Sequence, residues 1–205
     1  VAVAKNIPPG ERSPVGSEEF WRERLFRALA AEGTVRQAIF DDSHELWQWV
    51  TEEYSRLIQE FIQPGSRVLD AGCGYGALLD SFRIARMNSV DYTGIDLSPE
   101  LIKVATYRYP GRRFFVGRLE DLPFPDGWFD WVIFRSMDGM IKKNLGDAAW
   151  MTVAREAARV GKKLLIGGYS DYPGERVPYM VKSGEEASKA GDDPAAWARV
   201  GEGRG

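Results

Sequence analysis

The chain has one cysteine, Cys73, and one histidine, His44, in 205 residues. A single thiol excludes an internal disulfide framework, and such sparing use of cysteine suits a reducing compartment. Long apolar runs are missing as well. No stretch approaches the roughly 18 residues a membrane span needs, and "VAVAKNIPPGERSPVG" at residues 1–16 lacks the apolar centre of a secretory signal. Charge of one sign is also lacking: 27 Lys and Arg face 30 Asp and Glu, for a net charge of −3. That balance supplies no bulk attraction to nucleic acid or to an anionic membrane. There is no internal repeat and no low-complexity tract. The expectation is a cytoplasmic protein, monomer or homodimer, with a small-molecule substrate, no nucleic acid, no membrane and no metal.

Apolar side chains are not lacking. At 44% hydrophobic and 12% aromatic residues, a chain of this length can bury the core of one domain. Residues 1–16 read as a flexible arm, and residues 17–33 as a helix that Ser17 caps and Gly33 stops. A second helix begins near Asp42 or Ser43. Leu46, Trp47, Val50, Tyr54, Leu57, Ile58 and Phe61 form its buried stripe, and Pro64-Gly65 ends it. From Ser66 onward strands alternate with helices. "RVLDAG", "DYTGIDLS", "RRFFVGRL", "WFDWVIFRS" and "KKLLIGGYS" read as strands, with helices over "GALLDSFRIARM", "SPELIKVATYRY" and "LGDAAWMTVAREAARVG". Such alternation implies an α/β fold, doubly wound and Rossmann-like, in which a mostly parallel sheet binds ligands at the carboxyl ends of its strands. Residues 1–63 would be an arm and helical lid, and residues 64–205 the ligand-binding domain. Near the C-terminus "DDPAAWARV" reads as a short helix and "RVPYMV" as a strand or a loop, so the last strands of such a sheet are missing or replaced.

Three features fall at the expected strand tips. Asp70 ends the first strand and is followed by Gly72, Gly74 and Gly76, a turn that lets a ligand approach the main chain. Asp96 ends the second strand, 24 residues beyond Gly72, where an acid can accept hydrogen bonds from a ribose diol. "GRLEDLPFPDGWFD" leads from the third strand into the fourth and offers an apolar wall to a purine. A dinucleotide loop has the spacing G-x-G-x-x-G, whereas G-x-G-x-G behind an acid suits a nucleoside carrying an ammonium group better than a pyrophosphate.

"VLDAGCGYG", "YTGIDLSPE" and "GRLEDLPFPDGWFDWVIF" together resemble the successive motifs of class I S-adenosylmethionine-dependent methyltransferases, in the branch with "LPFPDGSFD"-type sequences that acts on small molecules. The resemblance covers about residues 64–170. It implies that Asp70, Gly72, Cys73, Gly74 and Gly76 hold the methionine portion of S-adenosylmethionine. Asp96, with Leu97 beside it, would bind the ribose, and Leu119 and Glu120 would lie beside the adenine. Arg118 stands where many relatives have an acid. That leaves the adenine amino group to the backbone, to Glu120 or to Asp121, or the contact is lost. Arg135, Ser136 and Asp138 follow the fourth strand, on the side of the transferable methyl, and Arg135 is a candidate for both cofactor and acceptor. His44, Arg135 and Asp138 are the candidate catalytic residues, with Tyr169 a candidate for the pocket rim. Tyr54 and Trp47 read as core, Lys142 and Lys143 as solvated, and Cys73 as unreactive. Arg118 and Arg135 favour an anionic acceptor for O- or N-methylation by in-line displacement. Two other readings stay open. One is a non-catalytic S-adenosylmethionine-binding module that regulates a partner. The other is a nicotinamide-dependent oxidoreductase, against which the glycine spacing and Asp70 argue.

Overall fold

The structure is a computed structural model that describes residues 44–136, 141, 146–168 and 179–190, with backbone alone at 44–47 and 190. The expected helices at 17–33 and near 193 lie outside these residues. Helix α1, His44–Phe61, turns Val50, Tyr54, Leu57 and Ile58 inward at the spacing of a single stripe. Next come β1 Arg67–Ala71, α2 Leu78–Ile84, β2 Asp91–Asp96, α3 Pro99–Arg108, β3 Arg113–Val116 and β4 Phe129–Arg135. Helix α4 Asp147–Val160, β5 Gly161–Gly167, β6 Tyr179–Ser183 and α5 Gly184–Ala190 complete the described elements.

The six strands form one sheet in the order β3-β2-β1-β4-β5-β6, parallel except for β6, which runs against β5 with Leu165 opposite Val181. A cluster from α4 covers one face, packing Trp150, Ala154 and Ala157 on Leu69, Val132 and Phe134. A second cluster covers the other face, packing Tyr54, Leu57 and Ile58 of α1 and Leu78 and Phe82 of α2 on Val68, Trp131 and Ile133. Burial on both faces explains why β1 and β4 read as apolar runs. Side-chain alternation then fixes the site: Asp70, Ile133 and Arg135 all belong to the α1 face.

Three local expectations change. Helix α2 starts at Leu78 rather than in the glycine run, because turn bonds from Gly76 N to Cys73 O (2.9 Å), Leu79 N to Gly76 O (3.1 Å) and Asp80 N to Ala77 O (3.2 Å) carry the chain first. Residues 179–181, the end of "RVPYMV", lie in β6, which pairs with β5 as an antiparallel sixth strand. Helix α5 was not anticipated, although "SGEE" is a capping box: Glu186 N donates to Ser183 Oγ (3.1 Å), and Ser183 N donates to Glu186 Oε2 (2.7 Å).

Candidate functional site

Strand-tip hydrogen bonds stitch the three motifs together. Gly72 N and Cys73 N both donate to Ile95 O, at 2.9 and 3.0 Å, which pulls the glycine loop over the end of β2. Gly74 N donates to Asp96 Oδ2 at 2.8 Å, and Ser98 N donates to Asp96 Oδ1 at 2.9 Å. Gly117 N donates to Asp96 O at 2.9 Å and brings in the chain leaving β3. Gly72, Gly74 and Gly76 hold φ of 77°, 52° and 81°, a backbone region that side chains with a Cβ rarely enter. Open space lies above Gly74, where a Cβ would meet no atom within 4 Å. From beneath, Arg108 supports the loop by lying over the Tyr75 ring and donating to Tyr75 O at 3.1 Å.

Asp70 and Asp96 are both buried, but their surroundings differ. Asp70 accepts from the Tyr92 hydroxyl at 2.6 Å. Burial pushes its carboxyl up to about 7; the Tyr92 bond and the Arg135 charge oppose the shift, and the Asp96 charge adds to it. Burial raises Asp96 too, against the backbone N–H groups of Ser98, Gly74 and Leu97 that stabilise its charge. Leu97 is half-buried beside it. Cys73 is buried with its sulfur against Gly94. Burial, with Asp70 and Asp96 nearby, pushes the thiol well above its ordinary value, so it stays protonated and inert.

The segment after β3 lies on the rim. Arg118 is exposed and donates to Glu120 Oε1 at 3.0 Å, while Leu119 is half-buried against the α4-side cluster. Leu122 is buried, and Phe124 makes edge-on contacts with Phe115 and Phe129. Arg159 of α4 fastens this wall from below. It donates to Phe124 O (2.9 Å), Leu122 O (2.8 Å) and Asp126 Oδ1 (2.8 Å), while Glu156 Oε2 accepts from Leu122 N at 2.9 Å.

At the end of β4, Arg135 lies over the Tyr54 ring, 5.3 Å from its centroid. Ser136 N donates to the Tyr54 hydroxyl at 3.1 Å. Asp138, Tyr169, Lys142 and Lys143 lie outside the described residues, as do the side chains of His44, where α1 begins, and Trp47. The structure therefore brings Asp70, the glycine loop, Asp96, Leu97, Leu119 and Glu120 to one end of the sheet, with Arg135 at the β4 exit. Sequence reasoning missed Tyr92, whose signal was a phenol inside a buried strand, and Arg159, which sits one helix away from the loop it holds. It also missed the polar role of Tyr54.

A parallel sheet with a glycine loop and two acids at adjacent strand tips defines a nucleoside-binding α/β domain. Residues 68–163 match the "Methyltransferase domain" family. The chain is 30% identical to the fatty-acid O-methyltransferase of Mycolicibacterium smegmatis over 148 residues, 71% of this chain and 50% of that protein. It is 30% identical to the demethylmenaquinone methyltransferase of Symbiobacterium thermophilum over 128 residues, 58% of this chain and 48% of the relative. The amino pentose methyltransferase CalS10 of Micromonospora echinaspora, solved with S-adenosylmethionine bound, shares the fold. Its TM-score is 0.51 at 22% identity, over 67% of this chain and 57% of that one. The chain thus spans about half the length of these two curated relatives. Through residues 68–163 the chain is thus similar to the class I S-adenosylmethionine-dependent methyltransferases, whose cofactor is S-adenosylmethionine. The residues present fit that group: the space above Gly74 leaves the main chain open to a ligand, and the Asp96 carboxylate is held at its edge.

Proposed function

We propose that the protein is an enzyme that moves a methyl group from S-adenosylmethionine to a small-molecule acceptor, at oxygen or nitrogen, by in-line displacement. The observation that carries this reading is the Asp96 carboxylate, fixed by Gly74 N and Ser98 N at the mouth of an open glycine loop. When bound, the cofactor supplies a methyl group already activated on sulfur. The rest falls to this chain. Asp96, with Leu97 beside it, receives the ribose diol on its remaining lone pairs. Asp70 faces the ammonium group, and Gly72, Cys73, Gly74 and Gly76 hold the methionine portion through their backbone. Leu119 and Phe124 wall the adenine, and Glu120, paired with Arg118, stands at its edge. Residues 1–63 act as arm and cap over the domain formed by 64–205, with His44 and Asp138 as candidates for acceptor chemistry. Among the described residues no helix is long and apolar enough to cross a membrane. The reading extends to a cytoplasmic monomer or homodimer that needs no nucleic acid. Positioning donor and acceptor in line can lower the barrier by about 7–11 kcal/mol, and a base is required only for an acceptor that must lose a proton.

Calorimetric titration with S-adenosylhomocysteine and with a nicotinamide dinucleotide, followed by a methyl-labelled donor against a panel of small acids, amines and alcohols, tests the reading. The expected result is binding of S-adenosylhomocysteine alone and label transfer to a member of the panel. Preference for the nicotinamide dinucleotide would overturn it. Cofactor binding with no transfer to any acceptor would favour a regulatory module.

A further inference from the structure

The glycines of the loop differ in what they make room for. A Cβ on Gly74 would meet nothing within 4 Å, whereas a Cβ on Gly76 would lie 2.9 Å from the Tyr109 ring. Gly74 therefore leaves space for a ligand, and Gly76 leaves space for a side chain of this protein. Tyr109 is the C-cap of α3, and its ring against Gly76 brings the end of that helix to the loop. Tyr75, between the two glycines, is buried.

Arg108, the last residue of α3, joins these parts. Its guanidinium lies 4.8 Å from the centre of the Tyr75 ring and 4.9 Å from that of Tyr109, within cation–π reach of both. Nη1 donates to Tyr75 O at 3.1 Å, and Nη2 donates to Asp80 Oδ2 at 3.2 Å. The other oxygen of Asp80, in the first turn of α2, accepts from the Tyr109 hydroxyl at 3.0 Å. Burial and the Asp80 charge push the Tyr109 phenol above its ordinary value, so it keeps the proton it donates. The loop is thus fixed at two points: Tyr75 O by Arg108, and Gly74 N by Asp96. A glycine-rich turn has many conformations to lose. Fixing it before a ligand arrives lowers the entropy lost on binding.

We propose that Arg108 is a positioning residue for the cofactor: with Tyr109 and Asp80 it holds the turn at residues 74–76 in its ligand-ready form, without touching the ligand itself. This rests on the methyltransferase reading above. The planar guanidinium suits the task because it stacks on rings while bonding in its own plane, which an ammonium cannot do.

Calorimetry with S-adenosylhomocysteine, run on the full chain well below its melting temperature, tests this. Arg108→Ala should weaken binding by a factor of about 3–30, the span expected of a residue acting on a site it does not contact. Hydrogen exchange at the Gly76 amide, which donates to Cys73 O, should quicken in the same variant without ligand. Arg108→Lys should recover part of the affinity, since an ammonium can reach Tyr75 O but cannot lie flat on the rings. Tyr109→Phe keeps the ring against Gly76, loses the bond to Asp80, and should cause a smaller loss. These two variants carry the test if Arg108→Ala does not fold. Arg112→Ala is the control for a merely structural role. Arg112 also donates to backbone oxygens, Val90 O at 2.8 Å and Asn88 O at 2.9 Å, but just before β2 begins, at the other end of that strand. Its loss should lower the melting temperature and leave the affinity within about twofold. The proposal is overturned if Arg108→Ala binds as tightly as the wild type, or if Arg112→Ala weakens binding equally. A wild type that binds no S-adenosylhomocysteine would sink the methyltransferase reading, and this proposal with it.

Discussion

Asp96 performs two tasks with one carboxylate, and substitutions can separate them. Its oxygens accept from Gly74 N and Ser98 N, so they hold the glycine loop and the start of α3 in place before any ligand arrives. Asp96→Ala would strip both amides of their acceptor, at a cost of about 1–3 kcal/mol for each buried donor. Asp96→Asn keeps one acceptor oxygen and loses the charge. The expected outcome is a large fall in melting temperature for the Ala variant and a smaller one for Asn. Both should bind S-adenosylhomocysteine at least about tenfold more weakly. Thermal melts paired with calorimetry check this, and an Asn variant of unchanged affinity would remove Asp96 from the ribose site. The sequence showed Asp96 through its distance from the glycine run. It could not show that the same carboxylate anchors the loop, because that depends on where Gly74 N points once β1 and β2 lie side by side.

Among the elements, the segment 122–127 owes its shape to a helix that follows it in the chain. Two carbonyls, Leu122 O and Phe124 O, and the Asp126 carboxylate converge on Arg159, and Glu156 holds both Arg159 and Leu122 N. Arg159→Ala leaves those carbonyls to water and frees the wall that carries Phe124. A destabilisation of about 1–3 kcal/mol is expected by denaturant unfolding, with faster hydrogen exchange at the Leu122 amide; exchange unchanged there would show the loop to be self-supporting. Legibility at this scale followed the physics. Strands β1, β4 and β5 and helix α4 were readable because burial on two faces, or along one stripe, leaves a strong pattern. Helix α3 was readable from Ser98, whose Oγ accepts from Leu101 N at 3.2 Å, and from Pro99 in its first turn. Helix α2 was placed too early because glycine turns and a helix start share the same letters. Helix α5 was overlooked because its seven residues bury little, leaving only the capping box to announce it. The antiparallel pairing of β6 is a long-range choice that no local spacing encodes.

For the molecule as a whole, Asp70 sets an unusual dependence of stability on pH. Its folded-state pKa of about 7 stands well above the ordinary aspartate value of 3.8. Below about 4 the carboxyl is protonated in both states and contributes nothing. Between about 4 and 7 the unfolded chain releases this proton while the folded chain keeps it, so the folded state loses ground as pH rises, by on the order of 4 kcal/mol across the window. Asp130 and Glu156 act in the opposite sense. Lys162 and the Arg67 amide hold Asp130 below its ordinary value, and Arg159 does the same for Glu156. Both groups are substantially exposed, so their smaller contribution is present above about pH 4 and lost only below it. For these three groups the two trends meet near pH 4, on the acid side of neutrality. Asp70→Asn removes the titrating group and keeps a partner for the Tyr92 hydroxyl, so its unfolding free energy should fall less steeply from pH 5 to pH 7 than that of the wild type, with the buried Asp96 carboxyl keeping a share of the decline. Urea unfolding at half-unit steps of pH measures both curves. Parallel curves over that interval would mean that Asp70 is already ionised in the folded protein, with Arg135 rather than a proton balancing its charge.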